Sequence, residues 1–165
     1  MPEVVNTRRI ESWAHAPHDK DGWEAMASAM PLDQPPFNVP IGFKRAAGVV
    51  IREPDGRVWV VAPSNGYGGY SATFPKGTMD GMSEKATALL EVFEESGLSV
   101  RLSSFLIDVR RSTSYTRYFV GERLTGNPAD MGWESQAVML VPQLKLPKVV
   151  TNGRDQPIIE ALKKA

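Results

Sequence analysis

The chain has no cysteine among its 165 residues. That excludes disulfides, thiolate metal sites and a cysteine nucleophile, and it fits a reducing compartment. Long apolar runs are also missing: none approaches the ~20 residues needed to cross a bilayer. The opening segment, MPEVVNTRRIESW, lacks the apolar stretch of a signal peptide. A soluble cytoplasmic protein is the expectation. Neither charge is in excess, with 19 Lys and Arg against 19 Asp and Glu. Binders of nucleic acid or membrane surfaces usually carry a basic surplus, so neither partner is expected. Any anion must be held by a local site.

What is present is ordinary in amount and uneven in place. Apolar residues make up 42% and charged residues 23%, which suits one globular domain with a real core. Residues 1–40 stand apart as an N-terminal arm. They hold two tryptophans, the proline-rich stretch PLDQPPFNVP and both histidines, His15 and His18. Two histidines at i, i+3 are a weak metal signal. DGWEAMASAM predicts a short helix. The arm is expected to pack on the surface of the domain formed by 41–165, and a substrate lid or dimer contact is the alternative.

From Phe43 the pattern sharpens. FKRAAGVVIR and RVWVVAP flank the turn EPDG and predict a hairpin. SNGYGGYSA is a glycine-rich loop. Ser83 is placed to cap a helix over about 84–96, and Gly97 to stop it. Ala86, Leu89, Leu90 and Phe93 recur at helical spacing as its core stripe. SVRLSSFLIDVRR, TRYFVGERL and QAVMLVP read as strands. RDQPIIEALKKA closes the chain as a helix. The order of strands and helices predicts an α/β sandwich with a mixed sheet.

The chemistry concentrates on that central helix. At ~100° per residue, Glu94 lies about 60° to one side of Glu91 and Glu95 about 40° to the other. Three carboxylates therefore share one face. No Lys or Arg stands three or four positions beyond any of them. Like charges so placed repel by a few tenths of a kcal/mol per pair in water and by much more when buried. A solvated acidic face is one answer. A hard divalent cation, Mg²⁺ or Mn²⁺, is the other. The glycine-rich turn just ahead, whose backbone can approach a ligand closely, favours the cation.

PKGTMDGMSEKATALLEVFEESGL resembles the Nudix box, the signature of the Nudix hydrolases. Glu91, Val92, Glu94, Glu95, Gly97 and Leu98 fall in the register of its second half. FPKG resembles the family's strand-into-loop entry. GFKRAAGVVIREPDGRVWVVAP resembles the opening hairpin of the diphosphoinositol and dinucleoside polyphosphate branch. The likeness covers roughly residues 42–145. Its departures are specific and make the box a degenerate one. The family's arginine position holds Leu90 and its early glutamate position holds Met82. The opening glycine comes one residue late, at Gly77, with Lys76 in its slot. Glu84 is the candidate replacement for the missing glutamate.

The resemblance implies a Nudix-type α/β/α sandwich and a Mg²⁺-dependent pyrophosphohydrolase. Its substrate is expected to be a small phosphate-containing molecule: a dinucleoside polyphosphate, an ADP-ribose-like compound or a diphosphoinositol polyphosphate. The alternative is a catalytically weak or inactive Nudix-fold module that binds a nucleotide. By position, Glu91, Glu94 and Glu95 hold metal, with the backbone carbonyl near Gly77, and Glu91 is also a candidate base. Glu134, in the loop MGWES, is the candidate base from outside the box, with Asp130 second. Lys44, Arg45 and Lys76 are the candidate phosphate grips. Arg110, Arg111 and Arg117 are further cations of the same kind, and Tyr67 or Tyr70 could cover a base or sugar. A homodimer is left open.

Overall fold

The computed structural model describes residues 1–165. Two short strands, β1 (Val4–Val5) and β2 (Arg8–Arg9), pair at the N-terminus and are followed by helix α1 (Lys20–Ser28). The main sheet begins with β3 (Lys44–Arg52) and β4 (Arg57–Pro63). Then come β5 (Lys76–Thr78) and helix α2 (Glu84–Ser96). Two long strands follow, β6 (Leu98–Arg110) and β7 (Ser114–Gly126), and then β8 (Ser135–Pro142). Helices α3 (Leu146–Val149) and α4 (Gln156–Leu162) end the chain. α3 has no counterpart in the sequence expectation; its four residues are too few to show a helical period.

The sheet runs β6-β7-β3-β4-β8 and is mixed, since β3 and β7 lie parallel while the other neighbours are antiparallel. β3 is its centre, and Ala46–Ile51 are buried without a break. A strand covered on both faces reads as a continuous apolar run, which AAGVVI is. Side chains still alternate between faces. Ala47, Val49 and Ile51 join one core with α2 residues, while Val50 joins the other with Ile158, Ile159 and Leu162 of α4. Helices on two faces make three layers. No helix is long and apolar enough to cross a membrane.

One irregularity positions the site. β3 pairs with β4 only at Ile51↔Trp59 and Arg52↔Val58. Further back, β4 diverges and β5 takes its place, at Ala46↔Thr78 and Gly48↔Lys76. The split lets the 73–78 segment enter the sheet and sets Lys76 and Gly77 beneath α2.

Residues 1–40 are more deeply engaged than a surface arm. Trp23 and Ala27 of α1 are buried in the α2 core. Trp13 meets Trp23 and Phe93 edge-on at centroid distances of 5.8 and 5.4 Å. Such pairs add about 0.5–1.5 kcal/mol each beyond the area they bury. Arg123 donates to the backbone carbonyls of Val5 and Arg9, and Arg117 to those of Pro35 and Pro36. These bonds tie the N-terminal segment to two buried guanidinium groups of β7. His15 and His18 are both exposed and belong to no metal-binding group.

Candidate active site

Local rules make α2 where the sequence predicts it. The Ser83 hydroxyl accepts a bond from the Ala86 backbone N–H at 3.2 Å. Gly97, at φ 70°, closes the helix in the left-handed conformation that glycine adopts without cost, and its N–H reaches the Phe93 carbonyl. Ala86, Leu89 and Val92 are buried, and Leu90 and Phe93 pack at the edge of the same core. Docking that stripe turns the opposite side toward β5 and the 131–134 loop. Glu91, Glu94 and Glu95 lie on that side.

The three are held at close quarters. Glu95 accepts the Lys76 backbone N–H at 3.0 Å. The Glu91 carboxylate lies over Gly77, where any Cβ would overlap it. The Gly132 N–H donates to the Glu94 carbonyl at 2.6 Å, which ties the 131–134 loop to the helix. That loop brings Glu134, itself exposed, within the electrostatic reach of all three helix carboxylates.

Burial and mutual repulsion drive these groups toward protonation. Glu91 is pushed up to about 8, by burial first and then by Glu95, Glu94 and Glu134. Glu95 is pushed up to about 7, again by burial first, although Lys76 opposes the rise. Glu94, more exposed, is raised by burial and by Glu134. Lys76 is the one cation that eases Glu91 and Glu95. Burial lowers its own pKa, against the pull of Glu95.

The positive charge facing Glu95 thus comes from β5 and not from α2. Leu90, in the family's arginine position, packs against the core. Met82, in the early glutamate position, is buried there too. Glu84 is drawn away from the cluster into an ion pair with Arg45 at 2.8 Å. That pair also occupies Arg45, whose guanidinium lies over Phe37. Lys44 is exposed. Asp130 is exposed beside Gly97.

Three further candidates are committed to structure. Arg111 is buried and pairs with Asp155, and it donates to the hydroxyls of Tyr70 and Tyr118. Tyr70 is thereby removed as a cover for a ligand. Arg117 grips Asp108 through two nitrogens at 2.8 Å. Arg110 lies over Phe43. The buried Arg111 group sits behind Lys76: the Lys76 ammonium is 5.2 Å from the Tyr70 ring and feels both Arg111 and Asp155.

No three carboxylates point at one common centre. The donor set nevertheless suits a hard divalent cation. Three carboxylates crowd one face, and Lys76 offsets the charge of Glu91 and Glu95. Mg²⁺ keeps several waters and takes one or two carboxylates with substrate phosphate, so a closed cage is not required. Two cavities of ≈ 300 Å³ lie elsewhere, one apolar beside β1 and one polar beside Glu53. Neither contains a residue of the cluster.

Comparison with known proteins agrees with this architecture. The model of the Nudix domain matches residues 42–162. The chain therefore belongs to the Nudix family, hydrolases that act on nucleoside diphosphate derivatives and generally use divalent cations. Among solved structures, a Nudix hydrolase from Nitrosomonas europaea is 15% identical, with a TM-score of 0.63 over 73% of this chain and 86% of that one. An Ap4A hydrolase from C. elegans, solved as a binary complex, is 21% identical, with a TM-score of 0.58 over 72% and 96%. An ADP-ribose pyrophosphatase from Streptococcus suis is 20% identical, with a TM-score of 0.58 over 73% and 91%. At such identities the likeness is one of fold. A sequence comparison with the curated proteins finds no match.

Proposed function

We propose that this protein hydrolyses a phosphoanhydride bond, with Mg²⁺ or Mn²⁺, in a nucleoside diphosphate derivative or a related polyphosphate. The observation that supports it most is the crowding of Glu91, Glu94 and Glu95 on one face, two of them pushed up to about 8 and 7. Such crowding is relieved by protonation or by a bound cation, and a cation is what keeps the groups charged at neutral pH. Glu91, Glu94 and Glu95 are the residues that would hold the cation. When bound it supplies neutralisation of phosphate oxygens and acidification of water.

The chain's own groups do the rest. Glu134 faces the cluster from an exposed loop, so its carboxylate is open to water and can accept a proton. Water oxygen bonds to phosphorus, the anhydride oxygen leaves with its electron pair, and the proton passes to Glu134. Lys44 is exposed at the start of β3 and is free to meet phosphate. Lys76 instead faces Glu95 and sets its charge, so its role is to orient that carboxylate.

The named neighbours widen the field to Ap4A-like and ADP-ribose-like substrates, and the opening hairpin adds inositol pyrophosphates. The test is phosphate release with Mg²⁺ and Mn²⁺ from a panel of diadenosine polyphosphates, ADP-ribose, nucleoside triphosphates and inositol pyrophosphates. Turnover of at least one member is expected. Tight nucleotide binding with no turnover on any would identify a binding module, the reading that Leu90 in the arginine position favours.

A further inference from the structure

The turn that joins the floor of the site to its helix is held by the N-terminal segment. Residues 79–83 lead from β5, where Gly77 lies under the Glu91 carboxylate, into the first turn of α2. Outside α2 itself, the hydrogen bonds on residues 80–83 come from α1. The Glu24 carboxylate accepts the Ser83 backbone N–H at 2.5 Å on one oxygen and the Ser83 hydroxyl at 2.8 Å on the other. The same hydroxyl oxygen accepts the Ala86 N–H at 3.2 Å. Glu24 therefore fixes both the capping side chain of α2 and the backbone that carries it, through charge-assisted bonds. Lys20 donates to the Asp80 carbonyl at 2.6 Å and meets its carboxylate at 3.1 Å. Lys85 of α2 ties back by donating to the Met30 carbonyl at 2.9 Å.

Met82 gives the reason why this carboxylate comes from so far away in the chain. The side chain at the early glutamate position is apolar here and joins the core that Trp23 and Ala27 enter. A glutamate at 82 would put a charge into that core. Instead the core takes Met82, α1 docks on it, and α1 brings a carboxylate to the next residue, Ser83. Glu84, the nearest acid in sequence, is held by Arg45. Glu24 lies 59 positions before Ser83 and outside residues 42–162, which match the Nudix domain.

We infer that Glu24 is a positioning residue of the carboxylate face, standing in for the glutamate that Met82 displaces. It touches neither cation nor substrate. It acts through Ser83, whose bonds set where α2 starts relative to Gly77, and hence where Glu91, Glu94 and Glu95 stand against β5. The inference rests on the cation-dependent hydrolase reading above and adds the N-terminal segment to that site.

The probe is Mn²⁺ alone, titrated into the full-length protein and read by the electron paramagnetic resonance of the free ion. Glu24→Ala should weaken Mn²⁺ binding by about tenfold, the lower end of the loss expected for an outer-shell partner of a metal. Glu24→Gln keeps one oxygen for the Ser83 N–H and should recover part of that loss. If the alanine variant does not fold, the glutamine variant carries the test with a smaller loss. Ala25→Gly, on the exposed side of α1, weakens the helix without touching the Glu24 carboxylate. Its melting temperature should fall while its Mn²⁺ affinity stays at the wild-type value, and a merely structural Glu24 would behave the same way. Wild-type Mn²⁺ affinity in the Glu24 variants, or an equal loss in Ala25→Gly, would overturn the inference and leave the hydrolase reading in place. A wild-type protein that binds no Mn²⁺ would overturn both.

Discussion

The Glu91 carboxylate lies so close over Gly77 that a Cβ at position 77 would overlap it. Gly77 is thus required by the side chain above it. This contact joins the two halves of the motif: the strand entry supplies the floor and the helix supplies the acid. The shift of the glycine by one residue from the family spacing leaves that floor in place.

Gly77→Ala therefore tests placement apart from folding. The clash is with the far end of a flexible side chain, which can swing away. Stability should change little in chemical denaturation. Activity should fall by up to about 100-fold, the cost of misplacing a reacting group by an ångström.

Glu94→Gln and Glu95→Gln should each abolish most cation-dependent turnover while leaving the circular dichroism spectrum and melting temperature near wild type. Losing an outer-shell partner of a metal typically costs ~10–100-fold, and loss of a ligand should exceed that. Unchanged turnover in both variants would show that the site has been misplaced.

The raised carboxylates carry a pH signature. Burial and mutual repulsion push Glu91 up to about 8 and Glu95 up to about 7, from 4.5 for an unperturbed glutamate. Between 4.5 and those values the folded chain binds more protons than the unfolded one, so stability falls as pH rises. Without metal, the melting temperature should drop from pH 5 to pH 8.5, and Glu91→Gln should flatten the slope. Added Mg²⁺ should raise the melting temperature more at pH 8.5 than at pH 5, because it binds the deprotonated groups.

Much of this was legible from local rules. The Ser83 cap, the Gly97 stop and the glutamate face follow from spacing along one helix, and the structure keeps them. What escaped depends on partners far away in the chain. Arg111 reads as a free cation at a strand end because Asp155 lies 44 residues on. Arg117 reads the same way because its carbonyl partners lie in the proline-rich segment. The aromatic residues of 1–40 give no sign in sequence that Trp23 enters the α2 core.

The buried Arg111–Asp155 pair should be a stability element. Arg111→Leu leaves the Asp155 carboxylate buried with its charge unmatched. Denaturation should show a loss of about 3–5 kcal/mol. The exposed Lys163–Glu160 pair is the control, and its removal should cost about 0–1 kcal/mol.

The most direct measurement is the initial rate of anhydride cleavage against Mg²⁺ concentration, run side by side for the wild type and Glu95→Gln on ADP-ribose and diadenosine tetraphosphate. The account predicts a saturating dependence on Mg²⁺ for at least one substrate in the wild type, nearly absent in the variant. Cleavage that proceeds equally in both proteins, or that ignores the cation, would contradict it.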